Sequence, residues 1–338
     1  MKVLVTGGAG YIGSHTIIEL VRNNYEVVVA DNYCNSSPES LRRVEKIVGQ
    51  PIPVTEIDLC GAEAVKKLFT DNHFDAVIHF AGLKAVGESV SEPLHYYRNN
   101  VLSTLNILQE MAAHGVNQFV FSSSATVYGI PKSVPITEDF PLSATNPYGQ
   151  TKLIIEQILK DFVAANNKVQ VSLLRYFNPI GADPSGTIGE DPNGVPNNLL
   201  PYVAQVAVGK HDQVRVWGDT YDTPDGTGVR DYIHVSDLAR GHVAALKHMP
   251  KAGSWQAYNL GTGTGYSVLD VIKAFGKAAG KDIPYKIFDV RPGDVASCYA
   301  DPSKAEKELN WTATKTLEEA CQDAWRWQSQ NPNGFKAA

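Results

Sequence analysis

The chain has 338 residues, 43% of them hydrophobic and 20% charged, which is typical of a globular protein with one large domain or two ordinary ones. Its formal net charge of -6 and its pI near 5.9 argue against nucleic acid or an anionic membrane surface as the main partner. The four cysteines are scattered without a short paired spacing, which argues against a disulfide framework and a zinc site.

The sequence also indicates the cellular compartment of the protein. The chain reaches Gly7 after one short apolar run, which leaves no room for a signal peptide, and no stretch has the apolar length that a bilayer requires. Scattered cysteines suit a reducing cytosol. We therefore expect a cytoplasmic protein that binds neither a membrane nor a metal ion.

Apolar runs that predict buried strands alternate with helical patterns along the first half of the chain. The predicted strands cover residues 3–5, 27–30, 54–57, 76–80, 119–121 and 169–174, and the predicted helices cover residues 14–23, 62–69, 100–111 and 148–165. This alternation is typical of a doubly wound parallel sheet. We therefore expect an α/β fold whose first, Rossmann-type domain spans residues 1–177.

The character of the sequence changes after this domain. Residues 179–198 are rich in Gly, Pro, Asp and Asn, which predicts a loop. Shorter apolar runs then predict a smaller α/β substrate domain over residues 178–338, with strands at 214–217, 232–235 and 285–288. A helix predicted at 237–246 indicates that about residues 232–262 return to the first domain, and residues 331–338 are expected to form a frayed tail.

The first predicted strand runs directly into three evenly spaced glycines, Gly7, Gly10 and Gly13, and then into a helix. In this context glycines let the backbone approach a pyrophosphate, and the helix start offers it free N–H groups. Asp31 ends the second strand, where a carboxylate accepts hydrogen bonds from ribose hydroxyls and repels a 2′-phosphate. Because no arginine or lysine follows it closely, the sequence favours NAD over NADP. Asp58 ends the third strand and either meets the adenine edge or remains a solvated carboxylate or helix cap.

A hydroxyl, a phenol and an ammonium are predicted to meet beyond the fifth strand. Ser124 follows that strand, and Tyr148 and Lys152 share one face of the next helix because they are four residues apart. To act as a base at pH 7, tyrosine needs its pKa lowered by about three units, or roughly 4 kcal/mol, which Lys152 and a nicotinamide ring would favour. The plain alternative is an ordinary exposed helix face. The glycine loop and the serine cluster favour proton handling for hydride chemistry instead.

Five longer segments carry a resemblance to a known family. They are VIHFAGLKAVGES at residues 77–89, FSSSATVYG at 121–129, LRYFNPIG at 174–181, PNNLLPYVAQ at 196–205 and GTGVRDYIHVSD at 226–237. Together with the glycine loop, they identify the chain as similar to the short-chain dehydrogenase/reductase superfamily, in its extended branch acting on nucleotide sugars. The resemblance implies an NAD-linked enzyme of galactose metabolism that interconverts UDP-glucose and UDP-galactose at sugar carbon 4.

The resemblance also implies roles for individual residues. Tyr148 would be the base, Lys152 would hold the nicotinamide ribose, and Ser124 would bind the reacting sugar oxygen. Other cofactor contacts would come from Gly7, Gly10, Tyr11, Ile12, Gly13, Asp31, Asn32, Cys34, Asn35, Ser36, Asp58, Leu59, Phe80, Ala81, Gly82, Lys84, Asn99 and Phe177. Substrate contacts would come from Asn178, Asn198, Leu199, Arg215, Val216, Trp217, Arg230, Arg291, Asp294 and Cys298. Guanidinium groups suit a diphosphate, although any one arginine alone would more often form a surface ion pair.

The two residues that directly follow Ser124 limit which reaction of this branch is expected. Dehydratases of this branch place Asp-Glu there and decarboxylases place a glutamate at the second position, whereas this chain has Ala125 and Thr126. Without a carboxyl group, no acid or base is available there to eliminate water, so epimerisation is expected. Two alternatives remain: a reductase or dehydrogenase with exchangeable NAD(H), and a non-catalytic, NAD-sensing regulatory protein.

The predicted wall of the sugar pocket departs from the narrowest members of the branch, which have a tyrosine there. We align Cys298 with that position, although the neighbouring Tyr299 allows a slip of one residue. A small wall residue implies that UDP-N-acetylglucosamine and UDP-N-acetylgalactosamine are also accepted. Relatives form dimers through the helices after Asn99 and around Lys152, which implies a homodimer.

Overall fold

The computed structural model describes residues 1–291 and 293–336, so Pro292 of the Arg-Pro-Gly-Asp segment and the final Ala337 and Ala338 lie outside the described residues. The strands are β1 (Lys2–Thr6), β2 (Glu26–Asp31), β3 (Val54–Glu56), β4 (Ala76–His79), β5 (Gln118–Ser124), β6 (Gln170–Tyr176), β7 (Asn178–Ile180), β8 (Val214–Trp217), β9 (Val229–His234), β10 (Ser254–Leu260), β11 (Gly265–Ser267), β12 (Tyr285–Phe288) and β13 (Ser297–Cys298). The helices are α1 (Tyr11–Arg22), α2 (Pro38–Val48), α3 (Ala62–Asp71), α4 (Val86–Ser91), α5 (Pro93–His114), α6 (Pro147–Ala165), α7 (Leu199–Ala207), α8 (Val235–Lys247), α9 (Val268–Ala279), α10 (Ser303–Leu309) and α11 (Leu317–Gln330), and a 3₁₀ turn covers Ala125–Tyr128.

Within the described residues, a seven-stranded parallel sheet has the spatial order β10-β6-β5-β4-β1-β2-β3. The order reverses at β1, where Val3 pairs with Val27 on one side and Ala76 on the other. In open α/β sheets, ligands bind at such a reversal, outside the carboxyl ends of the strands. The predicted α/β, doubly wound fold is confirmed.

The central sheet is buried on both faces, as an all-parallel sheet requires. Val3 and Val5 of β1 pack in one core with Ile17 of α1, whereas Leu4 packs in the opposite core with Leu159 of α6. The strands are therefore fixed from both sides. The loops at their carboxyl ends start from a rigid edge.

The other strands and helices build a smaller region with its own core. β9 pairs with β7, β11 and β13, and β8 pairs in parallel with β12. Helices α7, α9 and α11 pack around a core that includes the fully buried Phe275. Between β9 and β11 the chain crosses over, because α8 packs on α1 and β10 pairs in parallel with β6. The division into domains after residue 177 stays a prediction.

Two helices begin earlier in the structure than the sequence analysis predicted. Helix α1 begins at Tyr11, so Gly13 lies inside its first turn, and α5 begins at Pro93, where proline fits because the first helical N–H needs no partner. The expectation of a frayed tail is wrong for residues 331–336. There Phe335 packs on Trp327 with ring centroids 4.9 Å apart, so an apolar contact orders the segment. None of the described helices is long and apolar enough to cross a membrane.

Candidate active site

The glycine loop between β1 and α1 is shaped by close backbone approaches. Gly7 has a φ of +68°, and a Cβ there would lie 2.7 Å from the Ala81 nitrogen. A Cβ on Gly13 would lie 2.5 Å from the Gly7 carbonyl oxygen. Gly10 is the N-cap of α1 and has no side chain to occupy the first N–H groups of the helix, which therefore remain available to an anion.

Asp31 ties this loop to the end of β2. Its carboxylate accepts hydrogen bonds from the Ala9 N–H, the Tyr33 N–H and the Ser36 hydroxyl, each at 2.9 Å. A carboxylate has about four acceptor positions, so one remains for a ligand hydroxyl. Asp31 thus both shapes the site and keeps capacity to bind.

One cavity at the carboxyl ends of the strands collects most of the predicted cofactor residues. Its lining includes Gly7, Gly10, Tyr11, Ile12, Gly13, Asp31, Asn32, Cys34, Asn35, Ser36, Asp58, Leu59, Phe80, Ala81, Gly82, Lys84, Asn99, Tyr148 and Lys152. Phe177 lies outside this lining, in a buried cluster with Ala125 and Tyr128. The structure therefore brings together residues from the ends of β1, β2, β4 and the start of α6.

Helix α6 presents Tyr148 and Lys152 one turn apart. The Asn146 side chain caps the helix by accepting the Gly149 N–H at 2.9 Å, which fixes where Tyr148 lies. The Lys152 ammonium donates to the Ser122 carbonyl at 2.7 Å and lies 5.9 Å from the Tyr148 ring centroid. Burial lowers the pKa of Lys152 to about 8, so the amine is still mostly protonated at pH 7.

Ser124 is oriented toward the phenol by its neighbour. Its Oγ accepts hydrogen bonds from the Thr126 N–H at 3.2 Å and the Thr126 hydroxyl at 3.0 Å. With these acceptor positions occupied, its own hydrogen is free to donate. Burial raises the pKa of Tyr148, and the hydrogen bond with Ser124 lowers it. Thr126, which the sequence analysis noted only for its lack of a carboxyl group, therefore positions the Ser124 hydroxyl.

A second cavity collects the predicted substrate residues. Its lining includes Asn178, Asn198, Leu199, Arg215, Trp217, Arg230, Arg291 and Asp294. Val216 points the other way, because side chains alternate along β8 and Val216 is buried in the core of the smaller region. Cys298 lies outside the lining and packs against the buried cluster that contains Ala125 and Phe177.

Glu190, which no sequence motif indicated, links residues that line the two cavities. Its Oε1 accepts the Lys84 ammonium at 3.0 Å and the Asn198 amide at 2.9 Å, and these two residues line different cavities. Glu190 belongs to the Gly- and Asp-rich loop after β7, whose composition predicts only irregular structure. The same cavities also contain Tyr221 and Phe335, which the sequence analysis missed as well.

Known proteins are similar to this chain over its whole length. The family model described as NAD dependent epimerase/dehydratase family matches residues 3–261. The chain belongs to this family. A relative named UDP-glucose 4-epimerase, from Bacillus subtilis, is 62% identical over 338 residues and covers 100% of both chains.

Solved structures of this family have the same fold. The UDP-glucose 4-epimerase of Bifidobacterium longum, in complex with NAD+ and UDP, gives a TM-score of 0.96 at 57% identity and covers 99% of this chain and 100% of that one. The UDP-Glc/GlcNAc 4-epimerase of Campylobacter jejuni gives a TM-score of 0.84 at 37% identity, covering 97% and 99%. The resemblance to the nucleotide-sugar branch is confirmed.

Proposed function

We propose that the protein is an NAD-dependent epimerase that interconverts UDP-glucose and UDP-galactose at sugar carbon 4. The observation that carries the proposal is the meeting of Ser124, Tyr148 and Lys152 beside a glycine-lined cavity. Glu190 binds one lining residue of that cavity and one of a second cavity, which is lined by three arginines. Relatives named for this activity are up to 62% identical in sequence over the full length.

The residues of the first cavity fit a dinucleotide. A Cβ at Gly7 or Gly13 would fill space next to the backbone that the pyrophosphate needs, and Asp31 keeps one acceptor position for ribose. When bound, NAD supplies the acceptor and donor of a hydride. Lys152 would hold the nicotinamide ribose, since its ammonium has donor capacity beyond the Ser122 carbonyl.

The chain's own residues would move the proton. Tyr148 takes the proton of the 4-hydroxyl, directly or through Ser124, as hydride leaves carbon 4. The sugar ketone then turns over, hydride returns to the other face, and Tyr148 gives the proton back to the oxygen. The hydride and the proton both return to the sugar, so no external oxidant or reductant is consumed and Tyr148 ends in its starting protonation state.

The second cavity suits a nucleoside diphosphate. Arg230 and Arg291 reach it from β9 and the segment before β13, and guanidinium groups bind phosphate oxygens in pairs of hydrogen bonds. In the structure, Arg291 donates to Asp294 at 2.9 Å and lies 5.6 Å from the Trp217 ring centroid. We expect bound diphosphate to replace Asp294 as the partner of Arg291, which would free that carboxylate for a ribose hydroxyl.

We further propose that the sugar pocket accepts N-acetylated UDP-sugars, with Cys298 as its wall. Cys298 packs against the buried cluster that contains Phe177 and Ala125, whereas the Tyr299 ring lies 3.0 Å from where a Cβ on Gly265 would be, on the β11 side. Burial raises the pKa of the Cys298 thiol to about 11, so the wall is small and neutral. The Campylobacter jejuni relative is named for both UDP-Glc and UDP-GlcNAc.

The variant Cys298→Tyr tests this wall. Added bulk should cost the acetylated substrate about tenfold or more in kcat/KM, since overpacking costs 1–3 kcal/mol, while UDP-galactose loses much less. The two substrates are compared in the same assay, with Tyr299→Phe as the neighbouring control. Equal losses on both substrates, or no wild-type turnover of the acetylated pair, would contradict the proposal.

The activity itself is tested by incubating purified protein with UDP-galactose and with UDP-N-acetylgalactosamine, without added cofactor. The expected products are UDP-glucose and UDP-N-acetylglucosamine, together with NAD released on denaturation. Turnover that requires added NAD(H) and gives an oxidised or reduced sugar would identify a dehydrogenase or reductase. Dinucleotide binding without any turnover would instead identify a regulatory, NAD-sensing protein.

We also propose that the protein is a homodimer formed through α5 and α6. Apolar side chains on α4 and α5 are exposed, among them Val90 at 64%, Leu94 at 81% and Leu105 at 38%. Ile155 of α6, in contrast, packs in the chain's own core. Light scattering of the wild type and of Leu105→Glu should give dimer and monomer masses, respectively; a monomeric wild type would refute this.

A further inference from the structure

The predicted cofactor cavity is lined in part by two segments far apart in the sequence. Residues 189–192, in the loop after β7, and Phe335 both contribute to its lining. We propose that these segments, with their anchors Arg43 and Trp327, form a latch that holds the dinucleotide and sets how fast it leaves. The inference rests on the proposed NAD site and adds to it a group of binding residues that no motif indicates.

A direct hydrogen bond joins the two lining segments to each other. The Phe335 N–H donates to the Asp191 carboxylate at 2.8 Å. The preceding Gly334 has a φ of +68°, and a Cβ there would overlap the Asp191 carboxylate at about 2 Å. Only glycine permits this approach. On the side of residues 334 and 335 the contact is therefore made by the backbone, and on the loop side it is made by the Asp191 carboxylate.

The anchor Arg43 belongs to α2, the helix that follows the predicted ribose-binding turn. The Arg43 guanidinium lies 5.2 Å from the Phe335 ring centroid and 5.8 Å from that of Trp327. It also donates to the Asn331 side chain at 2.6 Å and to the Thr187 carbonyl at 3.0 Å. One arginine thus holds α2, the loop and the segment of residues 331–336 together, through hydrogen bonds and cation–π contacts.

The loop is tied to both ends of the cavity. Glu190 binds Lys84, which follows β4, and the Asn193 amide donates to the Cys34 carbonyl, which follows β2, at 3.3 Å. The Trp327 indole donates to the Glu190 carbonyl at 3.2 Å. The loop therefore spans the cavity, from the predicted nicotinamide end to the end where Asp31 is predicted to bind the other ribose. We infer that the dinucleotide leaves only when this loop moves.

Plain packing of a terminal segment would give a different result from a latch. If residues 331–336 only add stability, removing their contacts lowers the free energy of unfolding and leaves the release rate unchanged. If they form a latch, removing their contacts raises the rate of dinucleotide release by more than the fall in the free energy of unfolding accounts for. The two readouts separate the interpretations.

The test measures NAD release from the holoenzyme, using alcohol dehydrogenase and ethanol to convert each released NAD to fluorescent NADH. Phe335→Ala and Arg43→Gln should each speed release about tenfold, because each removes contacts worth about 1.4 kcal/mol or more. Gly334→Ala should act in the same direction by forcing Asp191 away. Phe335→Tyr, which keeps a ring against Arg43, should restore slow release, and the exposed Lys336→Ala is the matched control.

Release at the wild-type rate from Phe335→Ala and Arg43→Gln overturns the latch. So does a fall in urea-measured stability that accounts for the whole effect, with the restoring variant as fast as Phe335→Ala. These outcomes differ from a failure of the proposed function, in which the purified wild type contains no dinucleotide and does not epimerise UDP-galactose. That result would overturn both proposals.

Discussion

At the scale of single residues, the proposed role of Tyr148 as a base requires its pKa to fall toward 7. A charge pair about 6 Å apart is worth about 3 kcal/mol at an effective dielectric constant near 20, and a shift of three pKa units needs roughly 4 kcal/mol. Lys152, 5.9 Å from the ring centroid, therefore falls short alone, and burial works against it by raising the pKa of Tyr148. In the proposed mechanism, the hydrogen bond from Ser124 and the positive charge of a bound nicotinamide ring would supply the rest.

Tyr148→Phe is expected to lower kcat roughly 10²- to 10⁴-fold, because it removes the proton acceptor and leaves the ring in place. NAD content, measured after denaturation, should remain close to that of the wild type. Tyr285→Phe is the control, since Tyr285 is 47% exposed and lines neither cavity. Near-normal turnover by Tyr148→Phe would remove the phenol from the mechanism.

At the scale of secondary-structure elements, a buried ion pair fixes the strand that presents the serines. Glu156 of α6 and Arg175 of β6 are fully or almost fully buried and make two hydrogen bonds, at 2.9 and 2.7 Å. Glu156 also accepts the Ser123 hydroxyl at 2.6 Å. Helix α6, β5 and β6 are thereby held in register next to the site. Ser124 and Tyr148 come from two of these three elements.

Glu156→Leu is expected to destabilise the protein by about 3–5 kcal/mol, because it leaves Arg175 charged and unpaired in the core. The double variant Glu156→Leu/Arg175→Met should recover most of that loss. Urea denaturation measures both, with Lys67→Ala as the control, since the exposed Lys67–Asp71 pair should be worth less than about 1 kcal/mol. A double variant less stable than Glu156→Leu would contradict this explanation.

At the scale of the whole molecule, three buried histidines make the fold sensitive to acid. Burial lowers the pKa of His15 and His242 to about 4 and that of His79 to about 3. His79 is hydrogen-bonded to Thr6 at 2.7 Å and Thr104 at 3.0 Å, whereas Nε2 of His15 and of His242 has no partner among the described residues. None of the three can be protonated in place without losing favourable contacts or burying an unpaired charge.

Stability should therefore fall as the pH falls from about 6.5 to about 4, because only the unfolded state takes up protons in that range. Each of the three histidines contributes about 1.4 kcal/mol per pH unit. His242→Leu should reduce the slope of stability against pH by about 1.4 kcal/mol per pH unit. His248→Leu, at an exposed position, should leave the slope unchanged. Urea denaturation at several pH values measures the slopes, and equal slopes for the two variants would contradict the assignment.

The local parts of the site were predictable from the sequence. Gly7, Gly10 and Gly13 lie between a strand and a helix, and that arrangement by itself indicates a phosphate cradle. Ser124, Tyr148 and Lys152 were also predictable as a group. Parallel strands end at one edge of the sheet, and residues four apart on a helix share a face. The α/β fold followed from the same short-range periodicity.

Other parts depended on the tertiary structure. Glu190, Arg43 and Phe335 lie in a loop, a helix and a terminal segment that only folding brings together, so no local spacing marks them. Val216 was predicted to contact substrate, but its side chain points into the core because strand alternation places Arg215 and Trp217 on the opposite face. The sequence by itself determined the fold class and was enough to predict the candidate reacting groups, since both follow from local pattern. Only the tertiary structure decided which contacts link the linings of the two cavities and which distant segments line the first, since those contacts join segments whose separation leaves no periodic signal.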